Sequence, residues 1–443
     1  MIVVALGAVQ VFVIPRRLDI TTYGEYRLFI VYIAYIGVLH FGFADGAFVR
    51  WSGRAPAVIH SEWRRLIGWM LGMQAALAAL AGLISLGIGN ALAATYLIAF
   101  AACACFSNAT TLSAYALQAA GEFRAAGAVA VIAPASFVAA VLIVPMHSLA
   151  EVLAAYAGSF VLSAIAGATF VMQMPLPAAP SDERISIATL FRTGFHVLGA
   201  NLAAGLAQSA DRVLVSVIVP ITSMALYGFA SSVAVAGTAA TQTMQRVALS
   251  HAARRDGEDR AQFLGRFYDL TLAAFGVALV GFPFFEHTVA TTLPVYATAL
   301  PIVRAFVAGA PFWIGLHVVL VGTLQSHLLV RRQFALELGG AALVVVACSV
   351  CLAMHTPLWA VATAGSASAF VTWCAGVAIV NHDVPAARTQ GAVRFAIICA
   401  AQIVAMGIAF TVTPDWRVQT ALYLLLAAVP TYGAIRAARA PWS

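Results

Sequence analysis

The sequence predicts an all-α polytopic membrane protein of about fourteen transmembrane helices: two parallel six-helix lobes around a central cavity, plus a C-terminal helix pair. Three observations carry this. Hydrophobic residues make up 62% of the 443 residues and charged residues 9%. A soluble domain carries roughly 45–50% and about 25%, so this chain lacks the polar groups to cover a surface in water. Apolar runs of spanning length follow one another with only short Arg-bearing segments between them. Finally, landmarks of the first half recur in the second, about 205 residues later.

The spans read in order as follows. Ile2–Ile14 is short, with no basic n-region and no cleavage site, so it reads as a first span rather than a signal peptide. The others fall near 27–49, 64–89, 92–117, 125–145, 149–174, 193–219, 223–250, 263–288, 299–326, 333–354, 357–380, 393–412 and 417–437. None shows the period-two alternation of a barrel strand. The Pro-rich stretch Pro175-Leu-Pro-Ala-Ala-Pro180 divides the chain. The expected organisation is an N-lobe over 1–174, a cytoplasmic linker over 175–192, a C-lobe over 193–380 and the C-terminal pair over 381–443.

All 24 basic residues are Arg. A chain without Lys has no Walker A loop, no pyridoxal Schiff base and no retinal linkage, so no ATP motor and no cofactor are implied. The net charge of +7 lies in loops between apolar runs, which points to anionic lipid head groups rather than nucleic acid. With the N-terminus cytoplasmic, eighteen Arg fall on inner segments (50, 54, 64, 65, 124, 184, 192, 246, 254, 255, 260, 266, 331, 332, 388, 394, 436 and 439). Five fall at outer ends (16, 17, 27, 304 and 417). Both termini are therefore expected inside, which also requires an even span count. The six cysteines all lie in apolar stretches. Cys348-Ser-Val-Cys351 has no second pair or His set beside it, so the six read as buried thiols rather than a metal site.

The internal repeat rests on two landmarks. Pro15 precedes Tyr23-Gly24, and Pro220 precedes Tyr227-Gly228. Leu117-Gln118 precedes Arg124, and Leu324-Gln325 precedes Arg331 with the same spacing. Six helices per repeat is an even number, so the halves run parallel, related by an axis along the membrane normal.

Polar residues within spans are costly and usually face a cavity or each other. Asn201, Gln208 and Asp211 recur at seven and three on one face of the seventh span, with Arg212 beside them. They are either a stripe contacting a polar head group or a structural Asp–Arg contact. Asp45 is either a proton or cation site or an interfacial charge paired with Arg50. Arg27 and Arg304 lie near outer ends, where snorkelling is the alternative to a binding role. Asn108, Thr111, Tyr115 and Gln118 follow three-four-three spacing, and either line a lumen or bond between helices. Gln10, His40 and His317 are lone polar residues. Glu337 and Asp269 read as interfacial.

At these landmarks the chain resembles the Wzx-type oligosaccharide-lipid flippases of the multidrug/oligosaccharidyl-lipid/polysaccharide (MOP) exporter superfamily. Pro15-Arg-Arg-Leu-Asp-Ile-Thr-Thr-Tyr-Gly-Glu-Tyr26 is similar to that family's R-x-L-x-x-x-E-Y-G-x-Y stretch, with Thr22 in place of the acid. Phe41-Gly42-Phe43 with Ala47 and Arg50 resembles D-x-G-L-x-x-A-x-x-R, with His40 where the acid is common. Ala210-Asp211-Arg212-Val-Leu-Val-Ser216 followed by Tyr227 resembles D-R-x-L-x-S…Y. Pro294-x-Tyr296-x-x-Ala299-x-Pro301-x-x-Arg304 is similar to the start of the family's tenth span. The resemblance covers roughly 10–340.

It implies passage of an undecaprenyl-pyrophosphate-linked glycan across the bacterial inner membrane by alternating access. Membrane lipids, a polysaccharide polymerase and glycosyltransferases would be its partners. On this reading Arg27, Asp45, Asn108, Gln208, Asp211, Arg212, Arg304 and His317 line the substrate cavity. Two alternatives are an ion-coupled multidrug antiporter with the ion on Asp45 and Asp211, and a lipid II flippase. An enzyme such as a membrane glycosyltransferase would need a large outer loop, and the longest expected here is about a dozen residues.

Overall fold

The computed structural model describes residues 2–146, 148–175, 185–252, 257–326, 329–383 and 391–438. These residues form helices and turns, with no strand among them. The elements are α1 (Ile2–Arg17), α2 (Ile20–Ile33), α3 (Phe43–Trp51), α4 (Pro56–Ile88), α5 (Ala91–Ala119), α6 (Phe123–Ile143), α7 (Leu149–Met172), α8 (Ile187–Ile218) and α9 (Ile221–Ala252). They continue with α10 (Gly257–Thr292), α11 (Leu300–Ile314), α12 (Gly322–Ser326), α13 (Val330–Ala353), α14 (Leu358–Asp383), α15 (Ala392–Val412) and α16 (Trp416–Ala438). Nine helices among the described residues are long and apolar enough to cross a membrane, ten if the bent α2–α3 pair is one span. The chain is a multi-pass membrane protein. Taken with the shorter or more polar α1, α8, α9 and α16, the elements group into the fourteen helical segments expected.

The chain forms two compact units: Met1–Ser209 with Val219–Ala225, and Ala210–Ile218 with Leu226–Ser443. The core of the first gathers Phe43, Ala47, Trp51, Ile59, Trp63, Leu66 and Met70 against Leu112, Leu117, Val129 and Val171. The second is centred on Tyr268, Leu272, Phe312, Leu316, Leu320, Trp373 and Phe395. In it α15 and α16 pack on α10. Gln402 donates to the Leu272 carbonyl at 3.4 Å and to Thr431 at 3.1 Å, and Tyr423 donates to the Gly276 carbonyl at 3.2 Å. An Arg394–Asp269 ion pair adds a further α15–α10 link.

Helix starts follow local chemistry. Asp19 caps α2 by accepting from the Thr21 and Thr22 N–H groups, Asn90 caps α5, and Ser148 with Glu151 forms a reciprocal capping box on α7. These contacts, with the Thr22 hydroxyl foremost, hold the Asp19 carboxyl below its usual range. A lowered folded-state pKa stabilises above the unfolded value near 3.8 and is lost as pH falls through the folded one. Asp19→Ala is expected to cost about 1 kcal/mol at neutral pH and nothing in strong acid, read from thermal melts across pH.

The repeat has a structural signature. The Glu122 N–H bonds the Leu117 carbonyl at 2.8 Å, and the Leu329 N–H bonds the Leu324 carbonyl at 2.9 Å, closing α5 and α12 alike. Arg124 and Arg331 are then each the second residue of the next helix. The L-Q-x5-R spacing thus marks the same five-residue helix termination in both halves.

The second span departs from the continuous helix expected over 27–49. It starts at Ile20, passes through a 3₁₀ turn at Ile36–His40, and bends by 60° before α3. The break lies at Phe41 (φ 50°) and Gly42 (φ 78°), both in the left-handed region. The tenth span is also irregular: Gly315–Val321 between α11 and α12 is π-helical and fully buried.

The chain on either side of residues 176–184 is pinned within the first unit. The Met174 carbonyl lies 2.9 Å from His60 Nδ1, Arg65 donates to the Ile185 carbonyl at 2.7 Å, and Glu62 accepts from Ile185 N–H at 3.3 Å and Trp51 Nε1 at 2.9 Å. Residues 176–184 lie outside the described set. Glu62→Ala leaves two buried donors without an acceptor, so it is expected to destabilise by ~1–3 kcal/mol, measurable as a lower Tm in detergent.

Candidate functional site

A polar cluster forms in the first unit where the broken span meets its neighbours. Gly42 and Gly46, one turn apart, face Leu190 and Gly194 of α8. A Cβ on Gly194 would overlap the Gly42 carbonyl oxygen, and one on Gly46 the Leu190 carbonyl oxygen. Backbones can meet this closely only where side chains are missing. Phe43 and Phe191 flank the crossing with ring centroids 5.4 Å apart.

This crossing sets Asp45, 4% exposed, between α3, α5 and α8. Its Oδ1 accepts from the Tyr115 hydroxyl at 3.3 Å and from Asn201 Nδ2 at 3.5 Å. Its Oδ2 lies 3.8 Å from His40 Nε2 and has no hydrogen bond. His40 Nδ1 accepts the Gly42 N–H at 3.1 Å, which leaves the ring proton on Nε2, facing Oδ2. Two neighbours hold the 3₁₀ turn in place: Asn108 donates to the Ile36 carbonyl at 3.3 Å and Gln74 to the Leu39 carbonyl at 3.0 Å.

Asp45 is thus buried with long, weak contacts and one uncommitted oxygen. Such a carboxylate can take up a proton, a cation or a hydroxyl donor from a ligand. Its neighbours are His40, Tyr115 and Asn201 rather than the Arg50 considered as its partner, because α3 turns Asp45 inward and Arg50 outward. No group of three or more His, Cys, Asp or Glu among the described residues could hold a metal ion.

The other sequence candidates lie elsewhere. Asn201 reaches Asp45, whereas Asp211, ten residues on and in the second unit, is buried and accepts from the Tyr227 hydroxyl at 2.7 Å. Arg212 Nε lies 3.9 Å from Asp211 Oδ1. Tyr227→Phe is expected to cost ~1–2 kcal/mol by leaving that carboxylate short of a donor, again visible in Tm. Gln208 is half-buried on α8, and Arg27 half-buried on α2 near Tyr26 and Tyr156. Arg304 is not simply snorkelling: Nε and Nη2 each donate to Glu286 at 2.7 Å, and the guanidinium sits 4.1 Å over Phe410. Its fork is therefore spent on α10. His317 lies in the π-helical stretch, stacked on Trp313 at 4.1 Å, with Nδ1 3.0 Å from the Trp313 carbonyl. Glu337 is 2% exposed, not interfacial: Gln333, one turn back, donates to one of its oxygens at 3.2 Å. All six cysteines are free thiols, but only Cys103, Cys348 and Cys399 are buried; Cys105 and Cys351 are half-buried and Cys374 is exposed, because an apolar helix in a membrane protein can leave a thiol on its outer surface.

Sequence reasoning missed Glu62, Glu286 and the Gly42–Gly46 crossing. The G-x-x-x-G spacing was the one available signal, and it is common in membrane helices.

The fold is that of the MOP-superfamily transporters. The chain is similar to the lipid II flippase MurJ in an inward closed conformation, with a TM-score of 0.71 and 13% identity over 98% of this chain and 97% of that one. It is also similar to an inward-facing multidrug resistance MATE transporter of the MOP superfamily, with a TM-score of 0.67 and 13% identity over 88% and 96%. A MOP-superfamily transporter from Pyrococcus furiosus gives 0.56 and 13% over 86% and 92%. No protein-family model matches the chain, and no curated protein sequence does. At these identities the likeness establishes the fold.

Proposed function

We propose that the protein moves a lipid-linked oligosaccharide or polysaccharide precursor across the bacterial inner membrane by alternating access, with both termini cytoplasmic. The observation that carries this reading is coverage. The lipid II flippase fold accounts for 98% of this chain, whereas the MATE fold leaves 12% uncovered. That remainder is about 50 residues, the size of the α15–α16 pair at 392–438. On this reading an undecaprenyl-pyrophosphate-linked glycan passes along polar groups that include Asp45, Asn201 and Asn108. Of the span guanidiniums, Arg27 and Arg212 are proposed to meet pyrophosphate oxygens.

Deleting the gene is expected to abolish surface polysaccharide and accumulate lipid-linked repeat units. Normal polysaccharide would refute the proposal. A second reading is favoured by one observation, the loosely held Asp45 carboxylate: an ion-coupled antiporter of small molecules. Dissipating the proton gradient in vesicles separates the roles. Slowed transport assigns Asp45 to coupling, and indifference removes it from that role. A lipid II flippase is the remaining alternative, and would show as arrested peptidoglycan synthesis rather than loss of polysaccharide.

A further inference from the structure

An exposed face of α4 carries a groove that the transport reading does not use. Arg65, Gly68, Trp69, Gly72 and Met73 line about 570 Å³ of space and recur at helical spacing on one face of α4. Nothing stands within 4 Å of where a Cβ would lie on Gly68 or Gly72, so the groove floor is bare backbone. Trp69 forms one wall and is 58% exposed. Arg65 closes the end nearer the helix start. Its donation to the Ile185 carbonyl fixes the guanidinium in place and leaves further N–H donors. Arg64, next to it, is exposed.

Depth along the helix orders these features. At 33 residues α4 is about 50 Å long, against ~30 Å of hydrocarbon, and its only charged residues, Glu62, Arg64 and Arg65, all lie in its first three turns, which puts that end in the head-group layer. Gly72 lies seven residues beyond Arg65, roughly 10 Å deeper. Cation, interfacial Trp and apolar trough therefore follow the sequence of phosphate, glycerol backbone and acyl chain in a single lipid.

We propose that this groove is a selective site for one anionic phospholipid of the leaflet facing the Arg-rich ends, its phosphate on Arg65 and an acyl chain over Gly68 and Gly72. A phospholipid fits because charge and apolar length are continuous in one groove, which a free phosphate would fill only at its end.

The test is quenching of Trp69 emission, taken as the difference from Trp69→Phe, in the full-length protein in nanodiscs doped with chain-brominated phosphatidylglycerol or phosphatidylcholine. Half-quenching is expected at about tenfold lower mole fraction of the anionic lipid, a charge-assisted preference. Gly72→Leu and Gly68→Leu, which meet open space and so leave the Tm unchanged, should each abolish that preference by filling the trough. Arg65→Gln should equalise the two lipids while both still quench. Equal quenching in the unaltered protein would overturn the proposal, as would loss of the preference in millimolar inorganic phosphate. Displacement by a prenyl pyrophosphate but not by phosphatidylglycerol would overturn it in favour of a carrier-lipid site.

Discussion

Gly194→Leu is expected to prevent the first unit from assembling. The Gly42 carbonyl oxygen would lie 1.7 Å from the new Cβ, and the Leu190 carbonyl oxygen would lie 2.1 Å from a Cβ on Gly46 one turn along. Overpacking costs ~1–3 kcal/mol where side chains can give way, and here the opposing atoms are backbone, so the expected loss exceeds that range. Gly42→Ala adds left-handed strain of roughly 1–2 kcal/mol to the same overlap. Gly199→Leu is the internal control: it lies on the same helix with nothing within 4 Å, so membrane level and Tm should match the unaltered protein. If Gly194→Leu folds as stably as Gly199→Leu, the close α3–α8 crossing is wrong, and with it the geometry assigned to Asp45.

Asp45→Asn is expected to cut transport by at least about tenfold, the equivalent of ~1.4 kcal/mol, at unchanged membrane level. The amide keeps the shape and can still accept from Tyr115, so stability should barely move. What is lost is the ability to carry a charge or take up a proton at the uncommitted oxygen. His40→Gln and Asn201→Ala should each give a smaller loss, since each supplies one long contact rather than the carboxylate. The measurement is initial export rate normalised to protein in the membrane. Full activity in Asp45→Asn would return Asp45 to a packing role.

Much of the fold was legible because lipid imposes simple rules. The deficit of charge and the length of the apolar runs marked the spans, and L-Q-x5-R marked a helix end whose closing hydrogen bond, Glu122 to Leu117 and Leu329 to Leu324, is present in both halves. Partner choice was not legible. Asn201, Gln208 and Asp211 share a face by spacing. Yet α8 carries Asn201 to Asp45 within the first unit, while Asp211 is engaged by Tyr227 in the second. A helical period gives direction around one axis and says nothing of what stands opposite. Arg304 shows the same limit: its position suggested snorkelling, but its partner Glu286 lies eighteen residues earlier, on another helix. The break at Phe41–Gly42 was hidden because a single Gly in an apolar run usually continues the helix.

Reconstitution tests transport of the lipid-linked glycan without other cell components. Purified protein in sealed vesicles, loaded with lipid-linked oligosaccharide in both leaflets, is mixed with an external glycosidase that cannot cross the membrane. The inner-leaflet pool is expected to become accessible over time, more slowly with Asp45→Asn, while vesicles without protein stay half-protected. An inner pool that remains protected in active, folded preparations would contradict it, the more decisively if the same vesicles exchange a small cationic compound for protons.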